Sequence, residues 1–322
     1  MSERSTGLPR ADAGDGRHCA DALAHQALFY RGDGDYVDGV LHFLAPGLKA
    51  DEPIAVAVPP PRAALLRERL TALGPDIEML DMYELGRNPA RIIPAVHEML
   101  ARSGGRLLHY VGEPIWAGRS PEEIREATRH EALINLAWPG AQIRILCPYD
   151  TSALDAGVLA DAERTHPWVI KDGRGSLSGD YVATVPTTSD RPLPDPPDDA
   201  GELHFEARDL GCVRALVSGA AAAARLDRSR ADDLVLAVNE VATNAVKHAE
   251  GPGRIRVWST PAELICQVED RGHISDPLAG RYAPRPSVEG GLGLWMVNQL
   301  CDLVEVRTAP QGTAIRLHMS RR

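Results

Sequence analysis

The chain of 322 residues carries 45 Asp+Glu against 35 Lys+Arg, a formal net charge of −10, with 44% hydrophobic and 25% charged residues. That length suggests two domains, and that balance argues against wholesale disorder. No run approaches the roughly 18 apolar residues of a membrane span, and the first residues lack the apolar stretch of a secretory signal, so neither is expected.

Five scattered cysteines, odd in number and never in a CxxC pair, fit a reducing cytoplasm better than a disulfide framework or a zinc site. The acid excess sits in residues 1–202, with 20 basic and 31 acidic side chains, whereas residues 203–322 carry 15 and 14. No basic block or basic–aromatic interleaving appears, so direct nucleic-acid binding is not expected. The acidity reads as a solubility device.

Residues 1–22 are rich in Gly, Asp and Arg, lack periodicity and read as a flexible tail. Helical spacing follows over 36–48 (Val37, Val40, Leu41, Leu44), then a short apolar run over 53–58 closed by three prolines, a buried strand. A helix is predicted over 62–73, a strand over 77–80, a helix over 89–102 and a strand over 106–111. Ser120 followed by Pro121 opens a helix to about 138, and a strand covers 142–147. Strands separated by helices of this length imply crossovers and a mostly parallel sheet.

The segment 186–202 holds five prolines and four aspartates and reads as an extended spacer between domains at 23–185 and 203–322. Beyond it, helices are predicted over 209–226 and 229–249. The runs 254–259 and 264–270 alternate like strands covered on one face. A helix over 291–303 and strands over 304–308 and 313–318 complete a largely antiparallel sheet with helices on one face.

Four short patterns in this second half carry chemistry. On the helix over 229–249, Leu234, Val238, Val241 and Ala245 form an apolar stripe, while Glu240, Asn244, Lys247 and His248 line a neighbouring face. A carboxylate there can take a proton, an Asn oxygen can bind Mg²⁺, and a cation can meet phosphate. Asp270-x-Gly272 ends a strand, where a carboxylate can accept from an exocyclic amine. Gly290-Gly291-Leu292-Gly293 precedes a helix and can cradle an anion with backbone N–H groups. Gly312-Thr313 opens the last strand. Taken singly, each reads as well as a solvated helix face or plain turn chemistry.

In this order and spacing the four patterns resemble the ATP-binding fold shared by histidine kinases, gyrase, Hsp90 and MutL, a two-layer α/β sandwich of the GHKL (Bergerat) type. Within it the chain is most similar to the anti-sigma-factor serine/threonine kinases, over about 203–320. The resemblance implies ATP and Mg²⁺, with Asn244 on the metal, Glu240 as general base and Asp270 on adenine. It also implies Thr313 behind that contact and the glycines around Gly291, with Leu292, about the triphosphate. The family's adenine box often reads Asp-x-Gly-x-Gly, but Ile274 replaces the last glycine. Only 17 residues separate Gly272 from Gly290, which suits a short lid.

No GxxxxGK[ST] occurs, so the first half is not a working P-loop ATPase. It resembles the MEDS sensory domain, a degenerate RecA-like α/β unit. The likeness rests on His25 with Tyr30, 86–91 (GRNPAR), 112–116 (GEPIW), 129–131 (RHE) and 147–150 (CPYD). Glu113, Trp116, Arg119, Tyr149 and Asp150 follow strand ends, where open parallel sheets bind ligands, and are expected to form a pocket. His25, His109 and His130 could join it, although mutual satisfaction of buried groups is the preferred reading. Glu131 reads equally as a surface ion-pair member.

The combined expectation is a cytoplasmic switch, with homodimer formation left open. Its second half binds Mg·ATP and an alternative sigma factor and phosphorylates a Ser or Thr of a STAS-type anti-sigma antagonist. Its first half senses a small molecule or a protein. The alternatives are a non-catalytic, nucleotide-gated sigma-sequestering protein, and a sensor histidine kinase acting on a separate phosphoacceptor.

Overall fold

The computed structural model describes residues 24–71, 77–183, 192–249, 251–283 and 292–321. Two sheets organise it. In the first half the elements are β1 (Ala24–Tyr30), α1 (Gly32–Ala50), β2 (Ile54–Val58), α2 (Pro60–Thr71), β3 (Ile77–Asp81) and the short α3 (Met82–Leu85). They continue through α4 (Ile92–Arg102), β4 (Leu108–Gly112), α5 (Pro121–Ala137), β5 (Ile143–Asp150), α6 (Ala156–Thr165), β6 (Trp168–Lys171) and β7 (Arg174–Leu177).

The strand order is β3-β2-β4-β5-β1-β6-β7, parallel except for the final β6–β7 pair. The expected parallel sheet is therefore present, and β1, β6 and β7 extend it beyond the predicted strands. The fully buried strand β2 carries apolar residues on both faces, so its hydrophobic run is continuous, whereas the equally buried β4 includes His109. At the start of α5, Ser120 and Glu123 form a reciprocal capping box behind Pro121.

The second half contains β8 (Gly201–Phe205), α7 (Leu210–Ala223), α8 (Arg228–His248), β9 (Gly253–Ser259), β10 (Glu263–Asp270), α9 (Leu292–Leu300), β11 (Leu303–Ala309) and β12 (Gly312–Ser320). Its five strands run antiparallel in the order β11-β12-β10-β9-β8. Leu234, Val238, Val241 and Ala245 of α8 pack with Val213 and Val217 of α7 on the inner face of this sheet. Strand β8 begins inside the segment expected to be spacer, and the carbonyl of Pro194 accepts from Arg316 at 2.5 Å. The end of that segment is thus bound to the sheet.

The outer face of the second sheet corrects the expectation of one-sided cover. Gln267, Glu305, Arg307, Arg316 and His318 point away from the helices, yet all are buried. Helix α5 contributes to the cover, with Arg125 on Glu305 (3.2 Å) and Arg129 on the carbonyl of Val306 (2.6 Å). No helix among the described residues is long and apolar enough to cross a membrane.

Candidate functional site

Helix α8 turns its apolar stripe into the core, and the adjacent face opens on a cleft of about 630 Å³. Glu240 and Asn244 are half-buried there, while Lys247 and His248 at the helix end are exposed. Asp270 and Gly272 border the cleft where β10 ends, Leu292 and Gly293 where α9 begins, and Thr313 where β12 begins. The structure therefore brings together Glu240, Asn244, Lys247, His248, Asp270, Gly272, Leu292, Gly293 and Thr313 around one space. Gly290 and Gly291 lie outside the described residues.

One end of the cleft is built by strand register. Thr313 stands opposite Asp270 in the β10–β12 pair and donates its hydroxyl to the carbonyl of Gly272 at 2.9 Å. Asp270 Oδ1 accepts from the Gly272 N–H at 2.6 Å. Burial raises the Asp270 pKa, against the opposing pull of that N–H and of His248. Gly312 makes the approach possible: its φ is +141°, and a Cβ there would stand 2.1 Å from the carbonyl oxygen of Asp270. Among the described residues Oδ2 of Asp270 takes no hydrogen bond, which leaves it able to accept from an amine.

The other end is where α9 meets α8. A Cβ on Gly293 would stand 3.1 Å from Asn244 Nδ2 and 3.2 Å from Glu240 Oε2, so the glycine keeps the first turn of α9 against that polar pair. The donor set is one carboxylate and one carboxamide, hard oxygen ligands of the kind Mg²⁺ prefers. With Lys247 and His248 at the mouth and a glycine at a helix start, the residues present fit a magnesium-bound nucleotide phosphate.

Residues that the sequence left unassigned also reach this region. Ile274 and His273 line the cleft, and His273 Nδ1 lies 3.0 Å from Thr308 Oγ1, itself 3.0 Å from Thr313 Oγ1. From the first half, Arg91 donates to the carbonyls of Asn298, Gln299 and Cys301 at 2.8–2.9 Å. These are carbonyls at the C-terminal end of α9, which stops at Leu300 rather than at the expected 303. Asn88 adds bonds to Asn298, whose own amide donates to the carbonyl of Gly280 at 3.1 Å. The signal was the segment 86–91, visible as a motif but without a spacing that shows what it grips.

The first-half candidates separate. Glu113, Trp116 and Asp150 do line a hollow of about 190 Å³ at the strand ends, with Tyr30, Arg62 and Tyr83. Burial pushes the Glu113 pKa up to about 8. Arg119 does not line it: its guanidinium is buried on the carbonyls of Pro114 and Gly86 at 2.5 and 2.8 Å. Tyr149 lies in the core beneath the hollow, and none of His25, His109 and His130 lines it. Glu131 is fully buried rather than on the helix surface, because α5 turns it onto the first sheet, against His25 and Cys147.

Residues 24–167 match the MEDS family, the methanogen/methylotroph DcmR sensory domain, and residues 203–319 match the histidine kinase-like ATPase domain. The chain is 35% identical over 123 residues to the serine-protein kinase RsbW of Bacillus velezensis, covering 33% of this chain and 76% of that protein. It is 34% identical over 112 residues to the serine-protein kinase RsbW of Bacillus subtilis, covering 30% and 70%. A solved structure of the RsbU and RsbW domains of a Mycobacterium tuberculosis protein aligns over 38% of this chain and 33% of its own. Its identity is 22% and its TM-score 0.29, too low to bear on the fold. On these relatives the chain, a MEDS domain joined to a histidine kinase-like ATPase domain, belongs to the family of RsbW-type serine-protein kinases.

Proposed function

We propose that the chain is an ATP-dependent protein kinase that phosphorylates a Ser or Thr of an anti-sigma antagonist and binds an alternative sigma factor, acting in the cytoplasm. In this reading residues 203–322 form the kinase domain and residues 23–185 a sensory domain that biases it. The observation that carries the proposal is the gathering of Glu240, Asn244, Asp270, Gly293 and Thr313 on one cleft.

The roles follow from residue chemistry. Asp270 accepts from the adenine amine, and the Thr313–Gly272 bond holds the turn that presents it. Asn244 supplies an oxygen to Mg²⁺, while Lys247 and His248 meet the phosphates. When bound, Mg²⁺ neutralises phosphate charge. Glu240 takes the proton of the substrate hydroxyl, whose oxygen bonds to the γ-phosphorus as the bond to the β–γ bridging oxygen breaks and ADP departs. A positioned general base contributes about 10²–10⁴-fold to such a step.

The test is transfer from radiolabelled ATP to a STAS-type antagonist from the same genome. The expected product is acid-stable phosphate on Ser or Thr, lost in Glu240→Gln. Nucleotide binding and sigma capture without turnover would favour a sequestering protein, and acid-labile phosphate on a partner His would favour a histidine kinase. Either result removes the proposed activity.

A further inference from the structure

His25, Glu131, Cys147 and His166 arrive from four elements and converge at a point inside the first half. His25 lies on β1, Glu131 on α5, Cys147 on β5, and His166 directly follows α6. Their ligating atoms all lie within 4.8 Å of one another, and all four residues are buried. Strand alternation and the Ala27–Cys147 register put His25 and Cys147 on one sheet face, beneath α5. The spacing is invisible in the sequence because no two donors share an element.

The hydrogen bonds around the cluster fix which atoms point inward. Asn135 Nδ2 donates to the carbonyl of Thr165 at 2.8 Å, so its Oδ1 is the acceptor facing His25 Nδ1 at 3.1 Å. His25 therefore donates outward from Nδ1 and turns Nε2 inward. His166 does the same, with Nδ1 at 2.8 Å from the carbonyl of Ala162. Metal-bound histidines characteristically hold the second ring nitrogen in this way.

Hydrogen bonding alone does not account for the centre. Glu131 Oε2 lies 3.0 Å from His25 Nε2, 3.4 Å from His166 Nε2 and 3.3 Å from Cys147 Sγ. Glu131 Oε1 is buried with no partner. The Cys147 thiol has one proton for a carboxylate oxygen that also faces the Nε2 atoms of both histidines. Three of these edges, Glu131 Oε2 to Cys147 Sγ at 3.3 Å, Glu131 Oε2 to His166 Nε2 at 3.4 Å and Cys147 Sγ to His25 Nε2 at 3.4 Å, are those of a tetrahedron of N, O and S ligands around zinc, roughly 3.3–3.6 Å, and the His25–Glu131 edge at 3.0 Å is shorter.

We infer that His25, Glu131, Cys147 and His166 form a buried four-ligand site for one divalent zinc ion, held in place by Asn135 and the carbonyl of Ala162. Two imidazoles, a thiolate and a carboxylate suit a borderline ion in tetrahedral geometry. All four positions are filled by protein and closed to solvent, so the ion is structural. It is taken up as this half folds, with release of the thiol proton. This site is independent of the nucleotide cleft and of the kinase reading.

The full chain, purified under reducing conditions, is assayed for metal by mass spectrometry and then refolded from the stripped state with Zn²⁺ or Co²⁺. The expected result is one equivalent per chain and a cobalt spectrum with a thiolate charge-transfer band that Cys147→Ser removes. Asn135→Leu is expected to keep the stoichiometry and weaken affinity about 10–100-fold. X-ray absorption at the zinc edge of the unaltered chain needs no variant to fold, and one sulfur in the coordination shell is expected. No metal after refolding, or a bound metal with no sulfur ligand, would overturn the site.

Discussion

Glu240 and Asn244 stand one helical turn apart, and the missing side chain of Gly293 lets α9 approach both. If Glu240 takes the hydroxyl proton, Glu240→Gln should lower transfer about 10²–10⁴-fold while leaving calorimetric ATP affinity within a few-fold, since the amide keeps the shape. Gly312 makes a sharper structural demand. Gly312→Ala combines a left-handed φ with a clash on backbone and should cost about 1–3 kcal/mol or more, read as a lowered denaturation midpoint with adenine affinity lost alongside. These residues were legible because the glycines and carboxylates recur in a known order. The buried cluster of His25, Glu131, Cys147 and His166 was not, because only the tertiary fold brings its donors together.

At the level of elements, periodicity located the helices and strands whose one face is apolar, α8 and β10 above all. It missed β1, whose His25 and Gln26 interrupt an apolar run and yet lie in the middle of the first sheet. It missed β8 because a strand only five residues long follows a proline-rich segment. It read the polar outer face of the second sheet as solvent-facing, whereas α5 and Pro194 help cover it. A polar residue on a strand shows what its partner must supply, not whether that partner is water. Helix α9 depends on such a contact. Arg91→Ala removes the donor to its last carbonyls, so amide exchange over α9 should rise, with exchange in α8 unchanged.

Across the molecule, α5 is the shared wall. Its Glu126 sits buried between Arg307 (2.6 Å) and Arg281 (3.4 Å) of the second half, and Glu126→Gln takes that carboxylate from both, leaving Arg307 only the longer 3.8 Å contact to Glu305. Losing one member of such a buried network costs about 3–5 kcal/mol, so the variant should unfold earlier and become sensitive to protease between the halves. Deeper in the same face, His318 bonds Glu263 and Glu305 at 3.2 and 3.1 Å. Burial opposes its charge, but the two carboxylates win and push its pKa up to about 9 from 6.5. A raised folded pKa means that this stabilisation is complete below pH 6.5 and is lost as pH rises through about 9. The melting temperature should therefore fall across that window, and His318→Gln should flatten the fall. The proposed kinase activity requires Mg·ATP in the cleft between α8, α9 and the β10–β12 register. Titration calorimetry of the full chain with Mg·ATP should give one binding event, abolished or weakened at least tenfold in Asp270→Asn and in Asn244→Ala. No heat with the unaltered chain, or equal affinity in both variants, would contradict it.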